Sequence, residues 1–277
     1  MARLKLPQPY DFALSTERFR AFGPDLANLW DGEALLRAVD GREVRIAPAA
    51  GGVEVEPLDP LTEPVVRKLL GAELDLKGFS RFAAEADPVL ARLAIALAGF
   101  RPPLAPDPFE ALIGSITAQQ VSMFAAFAIR SRLVERFGKH VGRVYAFPAR
   151  ERLAAAEPEE LVAVGFSRRK AEYTVALARS DLDLDGLGRL EEEEIRARLT
   201  ALPGIGEWTA DWFLARHLAW PRAWPAGDLA LRKAVSVLYR HGEAMTTDEV
   251  RAFGARFEPF QNLSAHYLLT GLRTAAS

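Results

Sequence analysis

The sequence predicts a mostly α-helical protein preceded by a small α+β unit with an antiparallel sheet. Three observations carry that expectation. Turn signals and alternating apolar residues crowd the first 86 residues. Apolar residues at helical spacing fill the remainder. Of the 277 residues, 49% are apolar, enough to close sizeable cores. The expected division is an antiparallel-sheet α+β domain over 1–86 and a helical region over 87–277.

In the first part, Glu33–Val39 and Arg42–Ala47 flank Asp40-Gly41, a strong signal for a two-residue hairpin. Gly51-Gly52 leads into Val53–Glu56, which alternates apolar and charged residues. A short helix is expected near Leu61–Leu70, stopped by Gly71, and Ala72–Leu76 is expected to return as another strand. From residue 87 everything reads as helix. Asp87-Pro88 supplies an N-cap and a proline at the first helical position, and Leu90, Leu93, Ala94 and Leu97 follow at helical spacing. Arg101-Pro102-Pro103 breaks the chain and Asp107-Pro108 restarts it, with Phe109, Leu112, Ile113 and Ile116 forming one buried face. Further helices are expected over 122–136, 158–164, 168–180, 191–201, 207–218, 229–239, 248–257 and 261–273, with Thr246 and Glu249 as a capping box.

Composition excludes whole classes of chemistry. There is no cysteine, which removes disulfides, thiolate zinc sites, iron–sulfur clusters and cysteine nucleophiles. No apolar run approaches the ~18 residues of a membrane span, and the start shows no secretory signal, so a cytoplasmic location without a membrane partner is expected. The formal net charge of -2 argues against a nucleic-acid partner at first sight. Its distribution softens this: residues 1–86 carry 11 basic and 14 acidic side chains, leaving the remainder net positive. Seven acidic residues between Asp181 and Glu194 read as a solvated loop and helix start.

The stretch that carries chemistry runs from 199 to 239. Leu202-Pro203-Gly204-Ile205-Gly206 joins two helices as a hairpin. Its glycines permit positive φ and leave backbone N–H groups uncovered at a helix N-terminus, which suits one phosphate without a basic side chain. Four of the five tryptophans, Trp208, Trp212, Trp220 and Trp224, follow within 17 residues. Trp208 and Trp212 are i, i+4 and share a helix face. They suit either core packing or a stacking pocket for an extruded base. Asp228 follows Trp224-Pro225-Ala226-Gly227 and opens the next helix, where an N-cap is its plainest role.

The run LPGIGEWTA, followed by WPAGD with its Asp 22 residues past the second hairpin glycine, resembles the helix-hairpin-helix DNA glycosylases with a Gly/Pro-rich loop and an Asp. Within them it is most similar to the DNA-3-methyladenine glycosylase II branch. Asp107–Ser122, Gly165–Ala178 and Phe257–Leu268 support the match, which is strong over about 107–271. The resemblance implies two helical subdomains flanking a cleft. It implies Asp228 as the catalytic carboxylate, with Trp208, Trp212 and Phe260 lining the base pocket. Gly204, Ile205, Gly206, Gln119 and Gln120 are implied to contact DNA, with Gln120 filling the gap left by the flipped nucleotide. The backbone of Leu202 and Ile205 becomes a candidate monovalent-cation site, and no cofactor is expected. Members that also cut the backbone use a Lys where this chain has Trp208, and tryptophan cannot form an imine.

The expected activity is monofunctional base excision repair on damaged double-stranded DNA by a monomer, in a bacterial, nucleoid-associated setting. An alkylated purine such as 3-methyladenine or 7-methylguanine already carries positive charge. One carboxylate facing the developing oxocarbenium sugar then suffices, without the second carboxyl that sugar hydrolases often need. Cation–π attraction to the indoles is expected to favour such bases over neutral ones such as hypoxanthine. Two readings compete: a glycosylase for oxidised or deaminated bases, and a non-catalytic helix-hairpin-helix DNA-binding module. His217 and His266 read as structural.

Overall fold

The computed structural model describes residues 2–275. The chain runs β1 (Ala2–Lys5), α1 (Phe12–Thr16), α2 (Arg18–Ala21), β2 (Asn28–Trp30), β3 (Leu35–Val39), β4 (Arg42–Ala49), β5 (Gly52–Glu56) and α3 (Thr62–Leu69). It continues through α4 (Leu76–Ala86), α5 (Pro88–Ala96), α6 (Pro108–Ala118) and α7 (Met123–Phe137). A short hairpin of β6 (Lys139–Val141) and β7 (Val144–Ala146) follows, then α8 (Arg150–Ala154), α9 (Pro158–Ala163) and α10 (Arg168–Arg179). The last helices are α11 (Glu192–Thr200), α12 (Glu207–Arg216), α13 (Leu229–Tyr239), α14 (Thr247–Gly254) and α15 (Gln261–Ala275).

The antiparallel sheet has the order β1-β5-β4-β3-β2. Val39 pairs with Arg42, so Asp40 and Gly41 alone make the turn, both at positive φ (48° and 69°), as the right-handed twist of the flanking strands requires. Two expectations fail. Ala72–Leu76 is not a strand: Gly71 takes a φ of 62°, the chain turns, and Asp75 caps α4 by accepting from the Gly78 amide at 2.8 Å. Its alternating apolar pattern belongs to a turn and a cap. The region after residue 86 is not wholly helical either, because β6 and β7 pair around Gly142, whose φ is 61°. The proline-led starts hold: Asp87 and Asp107 each cap their helix through a side-chain oxygen, and Thr246 and Glu249 close a capping box.

Three cores result. One lies under the sheet, where Leu35, Val44, Ile46, Val53 and Val55 meet Val66 and Leu69 of α3. A second gathers α6, α7 and the helices α8–α12. The third gathers α4, α5, α13, α14 and α15, so Leu76, Phe79 and Ala83 pack with the late helices.

A buried charge network joins the sheet to the second core. Arg37 on β3 donates to Glu110 on α6 at 2.5 and 3.2 Å and to Asn28 at 2.6 Å. Arg130 on α7 donates to Glu110 at 2.5 Å and to Asp25 at 3.2 Å. Burial alone would raise the Glu110 carboxyl, but Arg37 and Arg130 outweigh it and hold Glu110 at about 2.

Candidate active site

The candidate site forms where the second and third cores meet. The hairpin between α11 and α12 supplies one side. Gly204 takes a φ of 78°, and a Cβ there would collide with the Tyr173 ring, so only glycine fits. Gly206 precedes α12 as its N-cap residue, and the space a Cβ would occupy is open. The Glu207 and Trp208 amides that open α12 have no intrahelical acceptor, whereas the Thr209 amide already donates to the Gly206 carbonyl at 3.0 Å. Ile205 is buried, and its amide donates to the Leu202 carbonyl at 3.2 Å. Gln119, at the end of α6, donates to the Gly204 carbonyl at 2.9 Å and to Thr209 Oγ1 at 3.2 Å. It braces the hairpin from behind. Gln120 is different: it is exposed and held at a φ of 54°.

Asp228 comes from the other side, at the head of α13. Its Oδ1 accepts from the Ala230 amide at 2.9 Å and the Leu231 amide at 3.0 Å, a regular N-cap. Its Oδ2 accepts from Trp208 Nε1 and Trp212 Nε1, both at 3.0 Å. The i, i+4 spacing on α12 aims both indole N–H groups at one oxygen. Four donors thus fix a half-buried carboxylate between two helices, and capping accounts for only two of them. The other two tryptophans of this stretch are structural: Trp224 donates to the Val250 carbonyl at 2.8 Å, and Trp220 packs on the second core.

The walls differ from the sequence reading in detail. Trp208 is half-buried, but Trp212 is only 3% exposed. The Arg216 guanidinium carbon lies 3.6 Å from the centre of the Trp212 ring system, and His266 packs on Trp212 at 5.6 Å. Phe260 packs with Phe79 and Phe82 at 6.1 and 5.4 Å, on α4. Burial first, then Arg216 and Arg18, push His266 far below its ordinary value, so it is a neutral imidazole. His217 lies elsewhere, bonded to the Ala105 carbonyl and near Lys68, and is lowered to about 4, chiefly by burial.

Sequence reasoning missed several residues here. Arg216 stands one further helical turn from Trp212, a spacing that was legible. Arg18 arrives from a distant segment and carried no signal, and His266, read from the sequence as structural, packs on Trp212. Val121 and Phe124 follow Gln120 in sequence and are 38% and 63% exposed, an unusual allotment for apolar side chains. Phe124 touches Phe22 edge-on at 5.7 Å.

Residues 113–259 match the family model described as "HhH-GPD superfamily base excision DNA repair protein". A DNA-3-methyladenine glycosylase of Bacillus subtilis is 31% identical over 193 residues, 67% of this chain and 64% of that protein. DNA-3-methyladenine glycosylase 2 of Escherichia coli is 31% identical over 182 residues, 62% of this chain and 61% of its own length. This chain therefore spans less than two thirds of these curated relatives. A solved 3-methyladenine DNA-glycosylase from Archaeoglobus fulgidus superposes with a TM-score of 0.89 at 30% identity, covering 97% of both chains. An 8-oxoguanine glycosylase/lyase of Clostridium acetobutylicum shares the fold, with a TM-score of 0.82 at 18% identity. Among the described residues no helix is long and apolar enough to cross a membrane. By the extent of the family match and by these relatives, the chain belongs to the HhH-GPD superfamily of base excision DNA repair proteins.

Proposed function

We propose that the protein is a monofunctional DNA glycosylase of base excision repair. It takes an alkylated base such as 3-methyladenine or 7-methylguanine out of double-stranded DNA, hydrolyses its N-glycosidic bond and leaves an abasic site. The observation that carries this reading is the convergence of two backbone amides and two indole N–H groups on Asp228, beside the hairpin. A carboxylate held so firmly needs no reorganisation when charge develops next to it. As the C1′–N bond lengthens, Asp228 stabilises the oxocarbenium sugar and orients the attacking water. The half-buried Trp208 offers the aromatic wall of the base pocket, with Trp212 behind it and Phe260 as a more distant boundary.

The hairpin binds the DNA backbone along Gly204, Ile205 and Gly206 and through the amides that open α12, while Gln119 holds the hairpin in position. Gln120 fills the vacated stack, and the exposed Val121 and Phe124 lie against the bases beside it. The carbonyls of Leu202 and Ile205 are hard oxygen donors that fit a monovalent cation, although the Ile205 amide already engages the Leu202 oxygen. Such a cation would supply positive charge against a phosphate. With Trp208 in the slot of the imine-forming lysine, the reaction ends at hydrolysis. The protein acts as a monomer. The test is base release from DNA treated with a methylating agent, comparing wild type with Asp228→Asn: release by the wild type alone is expected, and equal release by both removes Asp228 from the mechanism.

A further inference from the structure

Arg216 stands at the candidate site and Arg18 lies within electrostatic reach of it and of Asp228, neither with a carboxylate at ion-pair distance among the described residues. Arg216 closes α12 and lies against the Trp212 ring, 3.6 Å from its centre. Arg18 opens α2, in the sheet-bearing part of the chain, with its guanidinium carbon 5.6 Å from the Phe127 ring centre. Both are half-buried. They are close enough that Arg18 lowers the pKa of Arg216, after burial itself, while Asp228 raises it. Burial, then Arg130, likewise lower Arg18, to about 10. Both keep their protons at neutral pH. Beside them the buried Nε2 of His266 has no hydrogen-bond partner among the described residues. Two like charges and an unmatched buried ring nitrogen are costly in a half-buried wall unless water or a ligand answers them.

We propose that Arg216 and Arg18 are specificity-determining residues that read the carbonyl edge of the extruded base, making carbonyl-bearing bases the favoured substrate class. The proposal rests on the glycosylase reading of the same site. A guanidinium at stacking distance from an indole lies flat, so its N–H donors point outward in a plane parallel to the ring. A base stacked in that plane meets those donors edge-on. Oxygen acceptors such as O6 of 7-methylguanine or hypoxanthine suit this edge. The exocyclic amine of 3-methyladenine presents a donor to a donor. The pair also opposes the selection by charge expected from indoles alone, since two guanidiniums repel a cationic base.

Its effect extends to the chemical step. When the C1′–N9 bond of a hypoxanthine nucleotide breaks, the electron pair leaves with the base and spreads onto its ring nitrogens and O6. Water oxygen bonds to C1′, the water proton passes to Asp228 and then to solvent, and the departed base takes a proton from solvent. Guanidinium donors at O6 stabilise that charge as it forms. With 7-methylguanine the same pair of electrons neutralises the base cation.

The test measures single-turnover release of hypoxanthine, 7-methylguanine and 3-methyladenine from matched duplexes by wild type, Arg216→Met and Arg18→Ala. The expected result is a fall of about tenfold or more in the ratio of carbonyl-base to 3-methyladenine release in each variant. Arg18 belongs to another element than Trp212, so Arg18→Ala decides the matter if Arg216→Met does not fold. An unchanged ratio from an active wild type overturns this proposal alone. It does so most clearly if all three rates fall together and abasic-DNA binding loses about one unit of salt slope, the mark of a phosphate contact. A wild type inert on all three duplexes overturns the glycosylase reading and this one together.

Discussion

The chain holds two pairs of arginines under opposite conditions. Arg37 and Arg130 are almost wholly buried, and each guanidinium meets carboxylate oxygens of Glu110 or Asp25 at 2.5 to 3.2 Å. Arg18 and Arg216 are half-buried and rest against Phe127 and Trp212. Desolvating a cation is tolerable when a carboxylate answers it and costly when only a ring face does. The first pair is therefore neutralised within the protein, with only Arg37 Nε left without a hydrogen-bond partner among the described residues, and serves to join sheet to helices. The second is incomplete in the free protein, and it lies within electrostatic reach of Asp228.

The largest effect should come from the carboxylate that faces the incomplete pair. Asp228→Asn should lower base release by at least ~100-fold, the scale of removing a key electrostatic stabiliser. Asparagine has one acceptor oxygen for two pairs of donors. It can satisfy the amides or the indoles, so a loss of about 1–3 kcal/mol in stability should accompany the kinetic defect. Turnover near that of wild type would break the comparison at its functional end.

At the neutralised pair the order of effects should reverse. Glu110→Gln leaves two buried guanidiniums short of a partner and should cost about 3–5 kcal/mol in denaturant unfolding. The acid limb sharpens this. Because Glu110 is held at about 2, below its ordinary 4.5, its contribution is complete above pH 4.5 and fades as pH falls toward 2. Unfolding midpoints between pH 2 and pH 6 should slope less in Glu110→Gln than in wild type. Parallel slopes would mean another group governs acid stability.

The two hairpin glycines divide along the same line. Gly204→Ala meets Tyr173 and a positive φ and should cost about 1–3 kcal/mol of stability. Gly206→Val enters open space and should spare stability while weakening binding to abasic DNA, since it covers the amides. Normal binding by Gly206→Val would reduce the hairpin to a turn. The smallest expected effect is none at all: borohydride should trap no covalent protein–DNA adduct. Guanidinium groups do not form imines under these conditions, and Trp208 cannot. A trapped adduct would reveal a reactive amine near the site.

Local signals made much of this legible in the sequence. Asp40-Gly41, Asp87-Pro88, Asp107-Pro108 and the Thr246–Glu249 box each specify their own turn or cap within four residues, and the structure follows them. β1, β2, β6 and β7 are three or four residues long, too short for alternation to show; β1 is also defined by the distant β5, whereas β6 and β7 pair locally across Gly142 and Arg143. Ala72–Leu76 misleads because a turn followed by an Asp cap can mimic alternation. At the site, i, i+4 spacing was enough to bring Trp208 and Trp212 to one face. Which face of Trp212 remains free, and which arginine occupies it, depends on packing that spacing alone does not encode.

The charge network also bears on how separable the pieces of this protein are. A fragment cut at residue 87 would retain every residue of the hairpin and Asp228. It would lose Arg37 and Asp25, leaving Glu110 and Arg130 to face each other with half their partners gone, inside a core that excludes water. It would also lose Arg18. For an engineer seeking a minimal excision module, or a phylogenist treating the sheet as a detachable ornament, the boundary is misleading. The segment before residue 87 contributes Arg37 to the interior and Arg18 within electrostatic reach of Asp228, and both leave with it.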